Sequence, residues 1–181
     1  MKNTANISLP PIKGCGKNSI HCINSCYALK FYRMYPEVKN AWDDNLTELI
    51  SDRKFYFQSI RRYLLNKRPQ YFRWHVSGDI IDQDYLEQMK IIAKDYYFIN
   101  FLVFTKQYHL NFDNASENLS IVLSAWPGLN LPKTKLPIAF IDFDSEKRRK
   151  NFIECPEDCE KCRACWFLKN KENVLLTAKR R

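Results

Sequence analysis

Seven cysteines are confined to the two ends of this chain: Cys15, Cys22 and Cys26 near the start, then Cys155, Cys159, Cys162 and Cys165 near the finish. Thiols grouped so tightly can converge on one ion or cluster after little chain closure, and soft sulfur selects iron–sulfur clusters, zinc or cuprous copper. The long cysteine-free stretch between them must then form a body that carries both groups. A disulfide framework is the competing use. It needs an oxidising compartment, and an odd count strands one thiol. The opening Met-Lys-Asn-Thr-Ala-Asn-Ile-Ser has no apolar run or processing signature, so a soluble, cytoplasmic protein with metal-ligating thiols is expected.

A chain of 181 residues that is 45% hydrophobic can bury one sizeable core, so residues 1–181 are expected to form a single metal-binding domain. No apolar stretch approaches the roughly 20 residues that span a bilayer. The net charge of +9 favours an anionic partner, nucleic acid first and a phosphate-bearing small molecule or acidic protein next. Its local concentrations, Lys147-Arg148-Arg149-Lys150 and Lys179-Arg180-Arg181, are more often solvated surface than a binding groove.

The segment through Cys26, rich in Pro, Gly, Asn and Ser, reads as a loop carrying three cysteines. Glu37 to Ile50 has helical spacing behind Pro36, and a second helix follows Ser51-Asp52 with Phe57, Ile60 and Leu64 on one face. From Arg68 onward, strands alternate with helices. Tyr71 to Val76 reads as a strand broken by Ser77-Gly78-Asp79, after which Asp82 or Asp84 can cap a helix through about Ala93. Tyr97 to Thr105, Leu119 to Ser124 and Ile138 to Asp142 are further strands. The expected fold is α/β, a mostly parallel sheet or partial (β/α) barrel of about four to six strands with cysteine-rich terminal segments. Loops at the carboxyl ends of such strands converge on one face. That places Ser77-Gly78-Asp79, Thr105-Lys106, Ser124 and Asp142 at a common rim.

The four carboxyl-terminal cysteines fall within eleven positions, more compressed than the separated pairs of most structural zinc sites. Their steps of three, two and two intervening residues are the bacterial ferredoxin run reversed, which points to an iron–sulfur cluster, with zinc as the alternative. The amino-terminal three supply three corners of a [4Fe-4S] cluster but not the fourth. A carboxyl-terminal cysteine, His21, His75 or an exchangeable small molecule can complete it. Two fully thiolate-ligated cubanes would need one cysteine more than the chain has, which leaves an open iron or a single shared cluster as alternatives.

Three stretches in order, Gly14-Cys15 through Cys22-Ile-Asn-Ser-Cys26-Tyr27-Ala28-Leu29-Lys30, Arg73-Trp74-His75-Val76-Ser77-Gly78-Asp79 and Cys162-Arg-Ala-Cys165-Trp166, together resemble the gene product 88-like family of phage proteins. The resemblance implies a phage or prophage origin and a place in the host cell cytoplasm. A broader resemblance is to radical S-adenosylmethionine enzymes, in which a three-cysteine loop precedes a helix and a strand ends in a glycine-rich acidic turn facing the methionine moiety. Val76-Ser77-Gly78-Asp79 occupies the place of that turn, although the cysteine spacing here is six and three rather than three and two. By this resemblance His75, Ser77, Gly78 and Asp79 line a cofactor pocket that takes S-adenosylmethionine, and the protein has a redox or radical role.

Each of these residues also has a plainer use. His75, inside an apolar strand signal, reads as a buried histidine bonded to a carbonyl as well as a ligand. Asp79 can cap the next helix or bind an ammonium or hydroxyl group, and Gly78 permits close backbone approach or simply turns the chain. Trp166 is expected to shield the metal site from water.

Overall fold

Apolar residues in this chain switch between a period of two and a period of three to four, and the backbone follows them. The structure, a computed structural model, describes residues 4–142, 152–169 and 172–177. Its strands are β1 (Ala5–Ile7), β2 (Tyr71–Trp74), β3 (Asn100–Thr105), β4 (Leu119–Ala125), β5 (Ile138–Asp142), β6 (Phe152–Glu154) and β7 (Asn173–Thr177). They form one seven-stranded sheet in the order β1-β2-β3-β4-β5-β7-β6, and every pairing is parallel. The helices are α1 (Ile20–Asn24), α2 (Tyr27–Met34), α3 (Pro36–Ser51), α4 (Arg53–Lys67), α5 (Gln83–Asp95) and α6 (Cys159–Cys162), with a 3-10 turn at Ala164–Trp166. The protein is thus a single-domain α/β structure with a parallel sheet, as its alternation implies.

The long helices begin where local chemistry allows. Pro36 opens α3, where its missing amide hydrogen would have had no partner in any case. Asp52 accepts from Phe55 N at 2.9 Å to start α4, and Asp82 accepts from Tyr85 N at 2.8 Å to start α5, each satisfying an orphan donor of the first turn. From α4, Tyr56, Phe57, Ile60 and Leu64 are buried. From α5, Tyr85, Leu86, Met89, Ile92 and Ala93 are buried.

Three expectations need correction. The strand expected to run from Tyr71 to Val76 ends at Trp74, because His75 takes a left-handed backbone with a φ of +58°. The segment through Cys26 is not all loop: it contains β1 and α1. With three residues, β1 is too short to show alternation and exists because it pairs along β2, Ala5 opposite Phe72 and Ile7 opposite Trp74. The short α1 is capped by Ser19, whose hydroxyl accepts from Cys22 N at 3.2 Å. The strand expected from Tyr97 begins at Asn100, because a turn closed by Ile99 N donating to Tyr96 O at 2.9 Å precedes it. The strands β6 and β7 were not anticipated at all.

Alternation along the strands sorts the core into two faces. Phe72, Trp74, Phe101, Val103, Leu119 and Ile121 pack with α4 and α5 on the first. Leu102, Val122, Ala139 and Val174 pack on the second with Trp166, against which Cys155, Cys159 and Cys165 also sit. The topology explains the division. From β1 to β5 the sheet grows in one direction, whereas the step from β6 to β7 runs backwards. Right-handed crossovers therefore put the β6–β7 connection on the face opposite the helices. That connection is the carboxyl-terminal cysteine segment.

No helix among the described residues is long and apolar enough to cross a membrane. The basic runs Lys147–Lys150 and Lys179–Arg181 lie outside the described residues.

Candidate metal centre at the carboxyl edge of the sheet

Three parallel strands end side by side, and the chain leaving each one meets the others. The exit of β1 leads to Cys15 and that of β2 to Asp79. They are stitched together by His75 N donating to Ile7 O at 2.8 Å, Leu9 N to Ser77 O at 2.9 Å and Asp79 N to Gly14 O at 2.7 Å. Gly78 sits at a tight point of this junction with a φ of +87°, where a Cβ would lie 2.7 Å from that of Leu9 and 3.0 Å from Gly14 O. Both alternatives for this glycine, turn and close approach, are realised against the protein's own backbone.

Asp79 is fully buried. Its carboxylate accepts from Ile80 N at 2.8 Å and Lys106 N at 2.9 Å, and pairs with Lys106 Nζ at 3.2 Å. Asp82, not Asp79, caps α5. Burial works against the charge of Lys106, but the Asp79 carboxylate, with Cys22 and Cys15 nearby, holds its pKa above the usual lysine value. The ammonium thus pairs with a carboxylate and also feels the charge of Cys15 and Cys22.

Burial raises the pKa of Cys15 and pushes that of Cys22 up to about 11, while Lys106 pulls both down and Cys26 feels its way into each. The three thiols are therefore near enough to sense one another's charge. Gln107, buried at the exit of β3, holds their loop: its Nε2 donates to Cys15 O at 2.7 Å and its Oε1 accepts from Lys17 N at 3.4 Å. Thr105, by contrast, makes a routine strand-end bond, accepting from Gln107 N at 3.0 Å. Tyr108 extends the rim to β4 by donating its hydroxyl proton to Ser124 O. Asp142 ends β5, but its side chain lies outside the described residues.

His75 and Ser77 are buried, and both imidazole nitrogens and the serine hydroxyl lack a hydrogen-bond partner. The expected carbonyl bond to His75 is not made. Its ring packs on Trp74 and Tyr85, its φ is +58°, and burial pushes its pKa down to about 4, so it is neutral at pH 7. Buried polar atoms are ordinarily paired; these can meet a polar ligand or water.

The carboxyl-terminal group occupies the second face. Burial pushes Cys165 up to about 12, and the thiols of Cys155, Cys159 and Cys162 add to the rise. Trp166 is buried beside them and donates its Nε1 proton to Phe72 O at 3.2 Å, while Ser120 Oγ donates to Cys165 O at 2.7 Å. Arg73 Nη1 lies 3.7 Å from Cys159 Sγ. Tyr27, next to Cys26, donates its hydroxyl proton to Val76 O, and Arg73, Cys26, Lys106 and Cys159 all act on that hydroxyl. The two cysteine groups are thus neighbours around the end of β2. Among the described residues, no three Cys, His, Asp or Glu side chains are arranged to hold one metal ion.

Sequence reasoning placed Lys106 at the rim without a role and overlooked Gln107, Arg73 and the Tyr27 hydroxyl. The usable signal was position: Lys106 and Gln107 directly follow a strong strand, where parallel sheets gather polar residues.

No curated protein and no solved structure matches the chain. Residues 2–126 match the model of the family described as Gene product 88. The match includes Cys15, Cys22, Cys26 and the stretch Arg73–Asp79, and leaves out Cys155–Trp166. On the strength of that match, which takes in most of the chain, the protein belongs to the Gene product 88 family.

Proposed function

We propose that this is a phage-encoded iron–sulfur protein in which Cys15, Cys22 and Cys26 hold three corners of a [4Fe-4S] cluster, and that it has a redox role or one like that of radical S-adenosylmethionine enzymes. The observation that supports the reading is that the Cys15 loop, pinned by Gln107, lies beside the buried Lys106–Asp79 pair at the carboxyl edge of a parallel sheet, where Lys106 acts on Cys15 and Cys22 and Cys26 acts on both. The donor set fits. Three soft thiolates beside a fixed cation suit an anionic cluster, and unpartnered polar atoms of His75 and Ser77 lie on the same strand exit. When bound, such a cluster supplies one-electron redox chemistry and, with three thiolates, a coordination position for a small ligand. The chain's own residues do the rest. Lys106 offsets thiolate charge, Gln107 fixes the Cys15 loop, and His75 with Ser77 offers hydrogen bonds to a polar ligand such as S-adenosylmethionine. Cys155, Cys159, Cys162 and Cys165 form a second thiolate set.

Anaerobic purification followed by iron, sulfide and zinc analysis tests this directly. Iron with sulfide is expected, together with an electron paramagnetic resonance signal of the reduced protein that S-adenosylmethionine perturbs, a response that Cys22→Ala abolishes. An iron–sulfur protein indifferent to the ligand would retain the redox reading and lose the radical one. A colourless protein with stoichiometric zinc would instead favour a structural-zinc module that binds nucleic acid, which the net charge of +9 supports; its binding would then weaken steeply with salt.

A further inference from the structure

Arg73 stands on β2 with its side chain on the second face of the sheet, where the alternation of the strand sends it opposite to Phe72 and Trp74. The carboxyl-terminal segment covers that face. The guanidinium carbon lies 5.1 Å from the centre of the Phe104 ring, and Nη1 reaches Cys159 Sγ at 3.7 Å, within the range for a bond to sulfur. The same cation acts on Cys165 and on the Tyr27 hydroxyl. It therefore faces two of the four carboxyl-terminal thiols and, through Tyr27, the neighbourhood of Cys26.

A set of four thiolates around a metal is anionic, and partly buried anionic groups need compensating charge and hydrogen bonds. Arginine suits this task because it stays charged and its planar fork keeps a fixed direction once a ring packs against it. We propose that Arg73 is the positioning residue of the carboxyl-terminal thiolate site: it orients Cys159, offsets the charge of the set, and ties the site to the strand whose exit carries His75 and Ser77. The inference rests on the reading that these four cysteines bind metal.

The test uses the full chain, purified anaerobically, and follows the portion of bound metal that disappears in Cys165→Ser. Resistance of that portion to a chelator is compared in wild type, Arg73→Leu and Arg73→Lys. Loss of an outer-shell partner typically weakens metal binding about 10- to 100-fold, and a loss in that range is expected for Arg73→Leu. Arg73→Lys, which keeps the charge without the fork, should fall between. Where the metal is an iron–sulfur cluster, Arg73→Leu should also lower its reduction potential, since the extra electron loses a nearby cation. Wild-type chelator resistance in both variants, each retaining the wild-type circular dichroism spectrum, overturns the role of Arg73. Should Cys165→Ser keep all its metal, the four-thiol reading fails, and Arg73 has nothing to position. If Arg73→Leu does not fold, the lysine variant decides: resistance equal to wild type refutes the oriented fork, and an intermediate loss supports it.

Discussion

His75 combines a left-handed backbone, full burial and two unpartnered ring nitrogens. Its pKa is pushed from 6.5 in the open chain down to about 4 by burial, so the fold favours the neutral ring. Stability is then complete above about pH 6.5 and declines as the pH falls towards 4, where the unfolded chain binds a proton that the native one refuses. At about 1.4 kcal/mol per pH unit, the loss reaches about 3 kcal/mol near pH 4. Urea midpoints measured between pH 7 and pH 4 should fall less steeply in His75→Phe than in wild type; equal slopes would assign the acid sensitivity elsewhere. The Lys106–Asp79 pair makes a second demand. Lys106→Met would leave a fully buried carboxylate with only two backbone donors, at a cost of about 3 to 5 kcal/mol. Adding Asp79→Leu should recover part of it, which a double-mutant cycle in denaturant would measure.

The turn after β2 was legible as Ser77-Gly78-Asp79, and a cap for α5 at Asp82 or Asp84 followed from the helical repeat behind them; the fold uses Asp82. What the turn presses against was not legible, since Leu9 and Gly14 are far away in sequence. Gly78→Ala would meet Leu9 at 2.7 Å in a backbone at φ +87° and force apart the exits of β1 and β2. Overpacking of this kind costs about 1 to 3 kcal/mol. The variant should also lose amino-terminal metal, because the Cys15 loop hangs from the same contacts; full iron content with unchanged stability would count against the coupling. A cap can be removed with milder effect, Asp52→Ala costing about 1 kcal/mol in thermal unfolding.

Handedness decides which thiols are neighbours. Because β6 to β7 runs backwards across the sheet, its crossover covers the face that the helices leave open, and Trp166 is the side chain that docks it. Replacing this buried tryptophan by alanine should cost about 3 to 5 kcal/mol and detach the segment between β6 and β7. Metal ligation can order a short segment that buries little core of its own. Cys162→Ser and Cys165→Ser should therefore lose metal and expose this segment to protease, whereas Lys169→Ala should do neither. With the thiol pKa values of Cys15, Cys22 and Cys165 raised by burial, the proposed metal loading should release protons and proceed more readily as the pH rises from 7 to 9, which metal uptake measured across that range checks.

Period and punctuation in the sequence by themselves determined the α/β class with mostly parallel strands, the extent of α3, the starts of α4 and α5 and the grouping of the thiols, because each depends on residues a few positions apart. Tertiary structure alone decided that Gln107 braces the Cys15 loop, that Lys106 pairs with Asp79, that Arg73 reaches Cys159, and that a three-residue β1 exists. Those outcomes depend on strand order and crossover handedness, which bring together residues separated by most of the chain and leave no local period to read.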